Sequence, residues 1–146
     1  MIRKFETQDL GTVMQIWLEG NLDAHPFIPA SFWTGHFETV RDVLPQAELY
    51  VHEDKDTRQI DGFIGLTENH IEGIFVAKAA RSKGIGKALL EYVKSRKPRL
   101  TLSVYQKNRR AFAFYRREQF VVQSEGIDVD TNEAEIQMFW TQQVQA

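Results

Sequence analysis

The stretch that most limits what this chain can become runs from Ile71 to Leu90. Ile71–Val76 is a short apolar run suited to a buried strand. Glycines follow at 84 and 86, and Ile85, Leu89 and Val93 then recur at helical spacing. A strand that breaks into a glycine-bearing loop and passes at once into a helix demands an α/β fold. Gly84 and Gly86 let several backbone N–H groups converge without Cβ atoms in the way. The helix start adds unpaired N–H groups and a partial positive charge, and Arg81, Lys83 and Lys87 surround it. The expected ligand carries phosphate. A Walker A loop is excluded, because Arg81 stands where its first glycine belongs and Ala88 has no oxygen for magnesium. A dinucleotide fingerprint is excluded as well, because Leu89 replaces its third glycine.

Composition narrows the rest. The 146 residues include no cysteine, so there is no disulfide framework, thiol nucleophile or thiolate zinc site. His25, His36, His52 and His70 lack zinc-ligand spacing, and no metal is expected. No apolar run reaches the length of a membrane span, and no apolar stretch follows Arg3 and Lys4 to make a secretory signal. The reading is a cytoplasmic protein with one domain over residues 1–146 and no membrane partner. Charge is divided. Lys78–Arg117 holds 13 basic residues against the single acid Glu91, a net of +12, while the remainder holds 5 against 19, a net of −14. Such asymmetry points to a compact polyanion at the basic part.

Read in order, Ile2–Phe5 suits a first strand. A helix follows, N-capped by Thr7, with Leu10, Val13, Met14 and Trp17 on its apolar face and an end at Gly20–Asn21. A second helix is expected from Ser31, burying Trp33, Phe37, Val40 and Leu44 before Pro45. Strands then occupy Glu48–Glu53, Ile60–Leu66 and Ile71–Val76, an antiparallel run ending at the loop. A helix over Ile85–Ser95 leads to a fifth strand, Leu100–Tyr105; if that strand pairs in parallel with the fourth, the helix between them makes a right-handed crossover. A helix from Asn108 to Arg117 precedes two final strands, Phe120–Ser124 and Glu135–Thr141, around a polar loop. The fold class is mixed α/β, with a mostly antiparallel sheet and about four flanking helices.

Two motifs together carry a family resemblance. The first is Arg81-x-x-Gly84-x-Gly86 after a strand ending in Phe75-Val76. The second is a strand, Asn108, then Ala111-x-x-x-Tyr115 on a helix, then a strand led by Phe120; Asn108 falls 22 positions after Gly86. Spanning roughly positions 70 to 120, this pattern resembles the acyl-coenzyme A N-acetyltransferases of the GNAT superfamily, as a small bacterial member. The resemblance implies that the fourth and fifth strands splay, so that groups around Phe75 and Val76 bind the pantetheine arm. The Val76 N–H would then polarise the thioester carbonyl, a contribution of roughly 3–4 kcal/mol. Arg81, Ser82, Lys83, Gly84, Ile85, Gly86 and Lys87 would hold the pyrophosphate, Asn108 would reach the pantetheine, and Tyr115 would act near the sulfur. His25, Phe27, Phe32 and His36 lie where the family places its acceptor pocket. One departure concerns Gln119, which stands where glycine normally follows the last helix, so a left-handed turn there is expected to be strained or absent.

The expected chemistry is transfer of acetyl from acetyl-CoA, as co-substrate, to a primary amine by direct attack. Tyrosine near 10 and a thiol near 8.5 make protonation of the leaving thiolate uphill by about 2 kcal/mol in water, which suits Tyr115 as general acid. Removing a proton from a lysine amine at pH 7 costs about 4.6 kcal/mol, and from an α-amine about 1 kcal/mol. Some family members that act on protein N-termini carry Glu on the fifth strand, where this chain has Ser103. Glu72 is the substitute base, placed by strand alternation on one face with Ile74 and Val76, with His70 next in line. The acceptor is a small-molecule or protein amine, cationic enough to suit the acidic part of the chain. A homodimer is left open and nucleic acid is disfavoured. Two other classes are carried: a coenzyme A-binding sensor without catalysis, and a nucleic-acid module using 78–117.

Overall fold

Alternation of side chains along the strands divides the apolar residues between two cores, one on each face of a single sheet. The computed structural model describes residues 1–142. Its elements are β1 (Ile2–Lys4), α1 (Leu10–Ala24), α2 (Ala30–Val43), β2 (Glu48–Glu53), β3 (Ile60–Thr67), β4 (His70–Val76), α3 (Ile85–Lys94), β5 (Arg99–Tyr105), α4 (Arg109–Arg117), β6 (Val121–Asp128) and β7 (Glu133–Thr141). The sheet order is β1-β2-β3-β4-β5-β7-β6, and β4–β5 is the one parallel pair among the described residues. On one face Leu49, Val51 and Phe63 meet Val13, Met14, Trp17 and Trp33 of α1 and α2. On the other, Tyr50, Ile64, Leu102, Val104 and Met138 meet Leu89, Leu90 and Val93 of α3 and Tyr115 of α4. With no water on either side, the central strands are apolar at consecutive positions, as β2 and β3 are.

Several boundaries differ from the sequence expectation, each for a local reason. Thr7 is not a helix cap: Thr7–Asp9 forms a 3₁₀ turn, and the Asp9 carboxylate accepts the Glu6 N–H at 2.8 Å. Arg3 donates to both Asp9 oxygens at 2.9 and 3.0 Å and to Glu53 at 3.0 Å, tying the first turn to β2. α1 does not stop at Gly20–Asn21 but continues to Ala24. Gly20 is there for packing, since a Cβ would come within 2.9 Å of the Phe75 ring. The Asn21 amide turns back to the Trp17 carbonyl at 3.0 Å, so it does not break the helix. β6 and β7 extend past the expected polar loop because Asp128 accepts the Asp130 N–H at 2.9 Å and Asn132 takes φ 60°, making a tight hairpin. The left-handed turn after α4 is present with Gln119 in it, at φ 78°.

One irregularity decides the geometry of the centre. β3 and β4 pair as Gly65↔Gly73 and then Leu66↔Ile71, so Glu72 is an extra residue in β4. This bulge breaks the two-residue alternation. Ile71, Ile74 and Val76 all face α3 and α4, whereas Phe75 packs toward α1. Glu72 therefore does not share a face with Ile74 and Val76; it lies beside His70, at 3.7 Å, on the α1/α2 side. A bulged strand bends and twists away from its neighbour. The parallel pairing consists of His70↔Thr101 and Ile71↔Leu102, and it ends at the bulge.

Candidate active site

Past Leu102 the sheet is open. On its other side β4 stays paired, and Ala77 donates its N–H to the Asp61 carbonyl at 2.8 Å. Antiparallel alternation then turns the peptide groups of Ile74 and Val76 toward the gap that β5 has left. The Val76 carbonyl accepts from Arg81 Nε at 3.3 Å. The same alternation turns its N–H toward the gap.

The gap is the middle of a cleft of about 1420 Å³ that passes through the sheet from one face to the other. On the α3/α4 side it is lined by Ile85, Gly86, Lys87, Phe114 and Tyr115. Gly84 is the N-cap of α3 at φ 81°, and Ser82 is also left-handed at φ 66°, so the loop turns its backbone toward the cleft. A Cβ on Gly86 would touch nothing closer than Phe114, at 3.7 Å. Protein packing therefore does not require glycine at 86. Gly86, Phe114 and Val76 all border the cleft, so the room at this position opens onto it.

Of the loop residues expected to hold phosphate, Arg81, Ser82, Gly84, Ile85, Gly86 and Lys87 border the cleft; Lys83 does not. The Arg81 guanidinium is engaged by Asp23 near the end of α1 as well as by the Val76 carbonyl. That pairing holds the Asp23 carboxyl below the usual carboxylate range. Arg81 thus clasps α1 to the end of β4; Lys87, Lys107, Arg109, Arg110 and Arg117 also line the cleft, Lys87 near Glu91 at 4.0 Å and Lys107 paired with Glu133 at 3.1 Å. Asn108 caps α4, its oxygen accepting the Ala111 N–H at 3.3 Å, and its amide donates to His25 Nε2 at 3.3 Å. Tyr115 is 8% exposed, and no described residue hydrogen-bonds its hydroxyl. Burial pushes that hydroxyl above its ordinary pKa, so it stays protonated.

The α1/α2 side has a different chemistry. His25 stacks on Trp33 with centroids 5.3 Å apart and meets Tyr105 and Phe27 edge-on at 5.1 and 5.7 Å. Burial lowers the His25 pKa to about 4, only partly offset by the nearby Asn21 carbonyl, so the ring is neutral. Its Nδ1 is buried without a partner in hydrogen-bond geometry. His25 and Phe27 line the cleft, while Phe32 and His36 do not. These last two pack with ring centroids 4.4 Å apart and planes tilted by 40° along α2, with His36 Nδ1 against the Phe32 carbonyl at 2.6 Å. Glu72 stands at the rim, about half exposed, and accepts from Thr67 at 3.3 Å. Among the described residues no group of His, Asp and Glu is arranged to hold a metal. No described helix is long and apolar enough to cross a membrane.

Two residues here escaped the sequence reading. Tyr105 donates to Asp128 at 2.6 Å and forms the cleft wall. Glu135 of β7 lies opposite Tyr105 in the β5–β7 register and also lines the cleft. Desolvation, reinforced by the Asp128 charge, raises the Glu135 pKa. The signal for both was alternation with Ser103 across the pair, but it needed a register that only the folded sheet supplies.

The chain's relatives agree with this architecture. An acetyltransferase (GNAT) domain model matches residues 45–122. The peptidyl-lysine N-acetyltransferase YiaC of Escherichia coli (strain K12) is 39% identical over 122 residues, 82% of each chain. The peptidyl-lysine N-acetyltransferase YjaB of the same strain is 30% identical over 121 residues, 83% of this chain and 82% of that one. Among solved structures, apo YjaB from Escherichia coli superposes with a TM-score of 0.85 at 27% identity, covering 96% of both chains. A GCN5-related N-acetyltransferase from Rhodopseudomonas palustris gives 0.80 at 14% identity, covering 97% and 94%, a likeness of fold alone.

Proposed function

The chain belongs to the GNAT acetyltransferases, and from that premise we propose that it moves an acetyl group from acetyl-CoA to the side-chain amine of lysine in a protein or peptide, by direct attack. The observation that carries this reading is the opening of the sheet past Ile71 and Leu102, beside the N-terminus of α3. An extended pantetheine arm fits the open edge of β4 as an extra strand would, with its pyrophosphate against the Gly84–Lys87 backbone. The lysine acceptor is supported by the names of the two relatives above and by the aromatic and acidic character of the α1/α2 side.

Each protein group has a defined task in this reading. The Val76 N–H meets the thioester oxygen, where negative charge gathers as the amine adds. The new C–N bond forms, the C–S bond breaks, and Tyr115 donates a proton toward the departing sulfur. Burial raises the Tyr115 pKa, but a thiolate in the same desolvated cleft is raised too, so the transfer stays feasible. Asn108, held by His25, keeps the start of α4 and thus Tyr115 in place. No cysteine is available for a ping-pong route.

Thermal unfolding with acetyl-CoA and then a lysine peptide tests the proposal. At 100 times Kd the coenzyme should add about 2.7 kcal/mol, or roughly 5–10 °C in Tm for a chain of this size, where inorganic phosphate adds far less. Mass spectrometry of the peptide should then find acetyl-lysine. Tyr115→Phe should lower kcat by about 10²-fold or more with little change in acetyl-CoA binding. No shift with acetyl-CoA, or full activity in Tyr115→Phe, would overturn the coenzyme or the acid assignment respectively.

A further inference from the structure

A lysine amine reaches the enzyme as an ammonium and must lose a proton before it attacks. The carboxylates near the α1/α2 mouth are not equivalent: Asp23 on the cleft wall is engaged by Arg81, and Glu133 by Lys107 at 3.1 Å. Glu72, at the bulge, is about half exposed and already faces Thr67 and His70. Asp128 is occupied by the Tyr105 hydroxyl at 2.6 Å and by the Asp130 N–H at 2.9 Å. Glu135 is different. It lies opposite Tyr105 on the same sheet face, lines the cleft, and takes a single side-chain hydrogen bond, from Gln137 at 3.3 Å. Its remaining lone pairs are free among the described residues.

We propose that Glu135 is the residue that takes the proton from the acceptor ammonium, which enters along the wall formed by Phe27 and Tyr105. This rests on the acetyltransferase reading above. The chain supplies a likeness of the incoming group in its own Lys107, whose ammonium sits 5.5 Å over the Phe27 ring and 3.1 Å from the neighbouring carboxylate of Glu133. An aromatic face beside a β7 carboxylate therefore already accommodates one lysine head group here. The titratable groups around Glu135 are Tyr105 on β5, Asp128 at the end of β6 and His70 at the start of β4. Partial burial and the Asp128 charge make Glu135 a stronger base than a free carboxylate, while His70 acts the other way.

The protons balance. The ammonium gives one proton to the Glu135 carboxylate, and the neutral amine attacks the acetyl carbon. The tetrahedral adduct loses its second nitrogen proton to solvent as the C–S bond breaks. Tyr115 protonates the thiolate and is reprotonated from solvent, and Glu135 returns its proton to solvent when product leaves. The net release is one proton per acetyl group.

The test compares wild type, Glu135→Gln and Glu72→Gln with acetyl-CoA and saturating lysine peptide between pH 6.5 and 10, alongside each variant's acetyl-CoA thermal shift. Glu135→Gln should lower kcat about 100-fold at pH 7, with the deficit shrinking toward pH 10 as the peptide amine loses its proton unaided. Its acetyl-CoA shift should match the wild type's. The proposal is overturned by a kcat within threefold of wild type, by a deficit that does not change with pH, by loss of the acetyl-CoA shift, or by a larger loss in Glu72→Gln. If the wild type acetylates small amines but no lysine peptide, the lysine reading fails, and the same pH comparison on those amines decides the role of Glu135. If it acetylates no amine, both readings fall.

Discussion

Two residues with opposite backbone demands illustrate how individual positions are chosen here. Gly84 sits at φ 81° with open space around it, so an alanine there would be opposed only by the left-handed backbone, about 1–2 kcal/mol. Gln119 accepts that same strain at φ 78° to end α4, and Phe120 closes the turn by donating to the Tyr115 carbonyl at 3.0 Å. The side chain of Gln119 is exposed, so nothing in the core depends on it. Gln119→Gly should therefore raise stability by about 1 kcal/mol, measured by urea unfolding, with no change in the slope of the transition. A destabilised Gln119→Gly would mean that the side chain contributes more than its strained backbone loses. At Gly73 the constraint is contact: a Cβ there would collide with the Phe75 ring, which fills the space between Gly73 and Gly20.

At the scale of elements, the first turn of α3 separates folding from binding. Gly86 is a helical residue whose Cβ would have room, so Gly86→Ala should leave the protein as stable or up to about 1 kcal/mol more stable. The same methyl would project into the ligand side of the cleft and should weaken acetyl-CoA binding by tenfold or more. Paired measurements of urea stability and coenzyme affinity check this. A fall in both would place Gly86 in the packing of α3 instead. Much of this region was legible in the sequence, because the strand-loop-helix junction is written in local signals: apolar runs, glycines and the cap at Asn108. The splay was legible through the resemblance of the two motifs. What was hidden was the bulge at Glu72, since one inserted residue leaves no mark in a run that is apolar on both sides. The bulge is why Glu72 lies on the opposite face from the one strand alternation predicts. Glu135 was hidden for a related reason: its neighbour Tyr105 lies 30 positions away, and only pairing across β5 and β7 brings the two together.

Over the whole molecule, the divided charge of the sequence becomes a cleft with two ends. Lys87, Arg109 and Arg110 line it toward the start of α3 and α4, while Glu72 and Glu135 line it toward α1 and α2. His25 spans the two, joined to Asn108 on the far side of the gap. Its pKa is pushed down to about 4 by burial, against about 6.5 in an unfolded chain. The unfolded state therefore binds the extra proton between those values. The stability contribution of His25 is complete above pH 6.5 and is lost as the pH falls toward 4, by about 2 kcal/mol after allowing for solvent at the cleft mouth. The advantage of wild type over His25→Gln should shrink by that amount between pH 7 and pH 4, as read from urea midpoints at each pH. An advantage that does not change with pH would show that the ring is hydrated and titrates normally.

The pairs His70↔Thr101 and Ile71↔Leu102 are the rungs joining a four-railed leaf that ends in β4 to a three-railed leaf that begins at β5. Torsion between the leaves concentrates at that short spine. On the proposed reading, a pantetheine arm seated beyond it would supply the rungs the bulge removed and so join the two leaves. Release of product would then return the leaves to the short spine alone on every cycle.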